Sequence, residues 1–81
     1  MQALTQFDFH HTLTDTAGTS LVMFGSPDCG GCRQVKQILT ELSRAADTGI
    51  TFFSVDAQCD TALAREFEVF HLPTLFLFQG G

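Results

Sequence analysis

The chain has 81 residues, 44% hydrophobic and 16% charged, with nine Phe and neither Trp nor Tyr. That suits one domain with a composition for folding rather than disorder, and most of the Phe rings are expected in its core. Nine Asp and Glu against four Lys and Arg leave a formal net charge of −5, with Arg33 and Lys36 the nearest approach to a basic cluster. This excludes a phosphate-backbone binder, so nucleic acid is not an expected partner. No apolar run approaches the roughly 20 residues that a membrane-spanning helix needs, so no membrane partner is expected either.

The chain starts "MQALTQFDFHH", with no basic start and no long apolar stretch. A signal peptide is therefore not expected, and the cytoplasm is the default location. Met1 to Thr5 is at best a short edge strand, and Phe7 to Leu13 forms a short helix. "SLVMF", Ser20 to Phe24, is a buried strand that ends at the turn signal "GSPD". "CRQVKQILTELSRAA" then holds a helical period. Cys32, Val35, Ile38, Leu39 and Leu42 make one apolar stripe, with Arg33, Gln34, Lys36, Gln37, Glu41 and Arg44 on the other side. Asp47-Thr48-Gly49 stops this helix.

"ITFFSV", Ile50 to Val55, is a second strand, and its two Phe rings point to opposite sheet faces. Asp60 or Thr61 caps a helix over "TALAREFEVF", with Leu63, Ala64 and Phe67 on one face. A bend at "HLP" leads into a third strand, Thr74 to Phe78. Phe76 and Phe78 share one of its faces, and Leu75 and Leu77 the other. The order after the N-terminal segment is β-α-β-α-β. Strands 20–24 and 50–55, joined by a helix, are expected to be parallel neighbours in a sheet covered on both faces.

Three cysteines are an odd number, a poor basis for a disulfide scaffold and a better fit to a working pair plus one spare. The pair is in "GSPDCGGCRQVKQIL". Cys29 falls just before the helix and Cys32 in its first turn. Free N–H groups and partial positive charge at a helix start stabilise a thiolate, the reactive form of cysteine. Strand, turn, C-x-x-C and helix in that order form a redox context: Cys29 attacks, and Cys32 resolves the mixed disulfide. Gly30 and Gly31 are expected to let the loop turn tightly. Zinc is the rival reading, with Cys59 and one of His10, His11 or His71 completing four ligands, or with two chains sharing a metal or cluster. Two inert cysteines are the third reading. No nucleotide-binding loop or paired-carboxylate motif is present, and no cofactor is implied.

These residues resemble the thioredoxin family. "SLVMFGSPDCGGCRQVKQIL" looks like its central strand and active-site helix, "ITFFSVDAQCD" like its next strand, and "FEVFHLPTLFLFQGG" like its proline bend and antiparallel strand. The resemblance implies an α/β fold, a mixed sheet with flanking helices, in a single domain over residues 1–81. It implies a thiol–disulfide oxidoreductase with Cys29 and Cys32 as the catalytic dithiol. Pro73 would be its cis-proline facing the pair, and Leu72 would offer its backbone to an extended substrate peptide. Asp28, Gly30, Gly31 and His71 would border that groove. Protein disulfides or thiols would be its substrates, and a thiol reductant or oxidant its upstream partner.

The chain also departs from the family. Gly25 and Asp28 stand where tryptophans usually flank the site, and Gly31 replaces the proline inside the motif. Met23 replaces the buried aspartate beneath the pair, and Phe52 replaces its lysine partner. Asp28 opposes thiolate formation at Cys29, and Arg33 favours it. "QGG" reads as a turn into a further strand and helix, so the domain is expected to be C-terminally truncated. That would uncover a sheet edge and one face and invite self-association. A redox-weak binding or scaffold module, or a carrier of metal through the C-x-x-C pair, are the alternative functions. Cys59 is expected to be a spare thiol or a partner-linking one.

Overall fold

The structure is a computed structural model and describes residues 1–45 and 49–80. Its elements are β1 (Gln2–Leu4), α1 (Phe9–Asp15), β2 (Thr19–Gly25), α2 (Gly30–Ala45), β3 (Ile50–Asp56), α3 (Thr61–Glu66) and β4 (Thr74–Gln79). They form one four-stranded sheet in the order β1-β3-β2-β4. β1 and β2 run parallel to β3, and β4 runs antiparallel to β2. The expected parallel pair is thus the centre of a mixed sheet. The βα crossover puts β2 and β3 side by side with Met23 opposite Ser54 and Gly25 opposite Asp56.

Alternation along the strands sorts the side chains into two clusters. On one face Val22, Phe24, Phe53 and Val55 pack with Leu4, Phe9, Leu13 and Leu63, joined by Phe67, Phe76 and Phe78. This is an aromatic core: Phe24 meets Phe76 edge-on at 5.6 Å between centroids, and Phe9 meets Phe67 at 5.3 Å. On the other face Met23, Phe52 and Leu39 pack with Leu21, Val35 and Ile50 under α2. Phe52 and Phe53 do split between the faces. Two rings depart from the expected core, since Phe7 and Phe70 are 83% and 82% exposed.

Element ends differ from expectation for local reasons. α1 starts at Phe9 rather than Phe7, because the Asp8 carboxylate turns back to accept the Thr5 N–H (2.7 Å). Asp60 occupies the N-cap position of α3 without capping it, and its carboxylate accepts the Gln6 N–H at 3.1 Å instead. α3 stops at Glu66, well short of Phe70. Glu68 is left-handed (φ 53), with Val69 N–H bonded to the Ala64 carbonyl (2.9 Å) and Glu68 N–H to Arg65 (3.2 Å). That is a Schellman turn with Glu where Gly is usual. Of the expected stop of α2, Asp47 and Thr48 lie outside the described residues, while Gly49 is left-handed at φ 70.

The apolar stripe of α2 is only partly buried. Cys32 and Leu39 are covered, but Ile38 and Leu42 are 56% and 50% exposed. A helix is about 10 Å wide and strands are about 4.8 Å apart, so one helix shields roughly two strands. α2 lies over β3 and β2. Leu75 and Leu77, on the same face of β4, are exposed, and β4 is an edge among the described residues.

Candidate active site

β2 ends at Gly25, and Ser26-Pro27-Asp28 turns the chain into α2. Cys29 N–H closes this turn on the Ser26 carbonyl at 3.2 Å. Cys29 is then the residue before the helix, and its carbonyl and its sulfur both accept the Cys32 N–H, each at 3.2 Å. A sulfur in the position of an N-cap oxygen receives a helix-end N–H, which stabilises negative charge on it. Cys29 and Cys32 are joined as a disulfide, with Cα atoms 5.3 Å apart. Cys29 is half-buried, whereas Cys32 is only 5% exposed.

Gly30 and Gly31 form the first turn of α2, and neither is left-handed, so the tight-loop reason expected for them does not hold. Gly31 instead sits beside the cis-proline. A Cβ there would lie 3.7 Å from Pro73 Cδ, while one at Gly30 would meet nothing within 4 Å. Pro73, after a cis peptide bond from Leu72, therefore faces the glycine segment between the cysteines. Leu72 is half-buried against the aromatic core. His71 is exposed; its carbonyl accepts the Thr74 hydroxyl, and its ring has no hydrogen bond or ion pair with a described residue.

A hollow of about 750 Å³ opens beside the disulfide on the α2 face. Asp28, Cys29, Gly30, Cys32, Met23, Ser54 and Lys36 are among the residues that line it. Met23 is 4% and Phe52 is 9% exposed, so apolar side chains fill both positions read as replacing an acid and its lysine. Gly25 forms the wall behind the pair, where an added Cβ would come within 3.0 Å of Cys32 Sγ.

Sequence reasoning missed the part played by the β3–α3 loop. Gln58 donates its side-chain N–H to Asp28 (3.0 Å) and its backbone N–H to Asp56 (2.9 Å), tying two carboxylates together at the rim. It also missed Ser54, a polar residue on the Phe52 side of β3, two residues before Asp56 at the strand end. Period-two alternation alone would have placed it beside Met23.

The residues suggested as metal ligands are scattered. His10 pairs with Glu66 on α3 at 3.0 Å, and Cys59 is a free, exposed thiol. Its pKa is raised by a hydrogen bond to Asp56 and that residue's charge, then by burial and by Asp60. Among the described residues, no group of three His, Cys, Asp or Glu side chains could hold a metal ion.

The family model "Thioredoxin" matches residues 1–81. The chain belongs to the thioredoxin family. It is 36% identical over 73 residues to thioredoxin from Mycolicibacterium smegmatis, covering 84% of this chain and 65% of that protein. It is 38% identical over 61 residues to the bifunctional thioredoxin reductase/thioredoxin of Mycobacterium leprae, covering 75% of this chain and 13% of that protein. Against thioredoxin from Mycobacterium bovis it spans 53% of the relative's length. Two crystal or X-ray structures share the fold. Chlamydomonas reinhardtii thioredoxin f2 superposes with a TM-score of 0.90 at 22% identity, over 99% of this chain and 75% of that one. Fasciola hepatica thioredoxin does so at 0.90 and 24%, over 100% and 79%.

Proposed function

We propose that this chain carries a thiol–disulfide exchange site acting on protein disulfides. The observation that carries the reading is the Cys29 sulfur at the start of α2, accepting the Cys32 N–H and bonded to Cys32. In the reduced protein Cys29, the more exposed sulfur, attacks a substrate disulfide as the thiolate and releases the first substrate thiol. Cys32 then attacks Cys29, forming the intramolecular disulfide and releasing the second thiol. Two electrons pass from the dithiol to the substrate, and the reverse sequence oxidises substrate thiols.

In this reading Asp28, Gly30, Gly31, His71, Leu72 and Pro73 border the substrate groove. The bare glycines leave it open, and the Leu72 backbone pairs with an extended peptide. An upstream thiol reductant or oxidant completes an electron-transport role, placed in the cytoplasm. No helix among the described residues is long and apolar enough to cross a membrane. The exposed Leu75 and Leu77 on the β4 edge support self-association as part of the same reading. Dithiol-driven reduction of a protein disulfide such as insulin tests the assignment. The reduced protein accelerates it and Cys29→Ser abolishes the acceleration. A folded wild type that gives none would favour the binding-module reading instead.

A further inference from the structure

Met23 puts no carboxylate at the β2 position beneath the pair, and the two carboxylates that line the hollow with Cys32, Asp28 and Asp56, each accept a hydrogen bond from Gln58. Resolution still requires a Cys32 thiolate. We propose that Ser54 is a positioning residue for this step, its hydroxyl holding in the hollow a water that takes the Cys32 proton. The inference rests on the exchange reading above.

Three observations carry it. Ser54 is 9% exposed and stands opposite Met23 in the β2–β3 register, on the wall of the hollow that Cys32 also lines. Its hydroxyl forms no hydrogen bond with a described residue, nor does any fully buried side-chain N or O atom lack a partner among them. The hydroxyl is therefore reached from the hollow and has both donor and acceptor capacity unspent. Finally, a bound water needs room for about one probe sphere and two to four polar partners. The hollow supplies the room, and Ser54, Cys32 and Lys36, each with a polar atom or a thiol to offer a water, are among the residues that line it.

Two cations and two carboxylates line the hollow together with Cys32. Arg33 and Lys36 come to it from α2, Asp28 from the turn, and Asp56 from the end of β3. Asp28 and Asp56 are both engaged by Gln58, and Asp56 also receives the Cys59 N–H. Arg33 and Lys36 form no ion pair with a described residue. In the step itself, the Cys32 S–H proton passes to the water and through the open mouth to solvent. The thiolate attacks Cys29 Sγ, the bond between Cys29 and the substrate sulfur breaks, and the departing thiolate is protonated by solvent.

The test is stopped-flow exchange with an aromatic disulfide, dithionitrobenzoate, in a Cys59→Ser background over pH 6 to 9. The first chromophore released reports attack by Cys29, and the second reports resolution by Cys32. Ser54→Ala is expected to slow the second phase about threefold to tenfold near neutral pH, the worth of one hydrogen bond. The first phase should be unchanged, and the loss should shrink toward high pH, where Cys32 is already a thiolate. Ser54→Thr, which keeps the hydroxyl, should restore the rate. A second phase unchanged at every pH, or slowed equally at every pH, overturns the role of Ser54 while leaving the exchange reading intact. Release of one chromophore per wild-type protein instead of two overturns both.

Discussion

Gly25→Ala probes how tightly the disulfide is seated. A Cβ at residue 25 would lie 3.0 Å from Cys32 Sγ, 3.3 Å from Cys32 Cβ and 3.4 Å from Met23 Cε. Relaxed contacts between such atoms fall near 3.5–4.0 Å, so Cys32 must yield by about 0.5 Å or more. In the oxidised protein it is held by the first turn of α2 and by its bond to Cys29. In the reduced protein Sγ, the nearest atom, can rotate away, while the contact with Cys32 Cβ is common to both states. Overpacking of this kind costs about 1–3 kcal/mol, charged here to the oxidised state. The general stabilisation from replacing Gly, about 0.4–1 kcal/mol through the unfolded chain, is common to both states and cancels. Since about 1.4 kcal/mol corresponds to 30 mV for a two-electron couple, the potential should rise by about 20–60 mV. Equilibration in graded thiol–disulfide buffers, acid quenching and alkylation gel shift would read it, in a Cys59→Ser background. Urea unfolding of both forms, followed by circular dichroism because Trp and Tyr are absent, should show the oxidised form losing more. An unchanged or more negative potential, with both forms folded, would refute the reasoning.

Glu68→Gly removes a side chain from the left-handed position after α3. After the entropic cost of glycine it should stabilise the fold by about 0.5–1 kcal/mol, raising Tm by roughly 2–8 °C; a lower Tm would contradict the Schellman reading. With the Cys29–Cys32 disulfide intact, Cys59 alone should alkylate. Its raised pKa leaves less thiolate at a given pH, so its rate profile should sit at higher pH than that of an unstructured cysteine peptide. Asp56→Asn, which removes the adjacent negative charge, should speed the reaction at pH 8; an equal or slower rate would contradict the assigned cause.

Much of this architecture was legible in the chain because its strands are short apolar runs bounded by turn residues. "SLVMF" and "ITFFSV" extend by only one or two residues into β2 and β3, and their parallel pairing follows from the helix between them. Element ends were less legible, because Asp8 and Asp60 are ordinary cap residues whose carboxylates bond elsewhere. The stripe of α2 failed at Ile38 and Leu42 because periodicity identifies an apolar face without saying how much sheet lies beneath it. At the site, spacing and flanks marked Cys29 and Cys32, and the glycines were noticed for the wrong reason. Gln58 and Ser54 carry no motif. Their importance comes from tertiary placement, one bridging two loops and the other turned toward the hollow.

The central claim is that Cys29 attacks and Cys32 resolves. It is tested most directly by trapping. Reduced Cys32→Ser protein, in a Cys59→Ser background, is mixed with a protein disulfide, and the products are weighed intact without reductant. The account predicts a covalent adduct through Cys29 that dithiothreitol clears, and none from the matching Cys29→Ser protein, whose remaining sulfur is buried. An adduct that accumulates on Cys32 in the Cys29→Ser protein, with none on Cys29 in the Cys32→Ser protein, would contradict it.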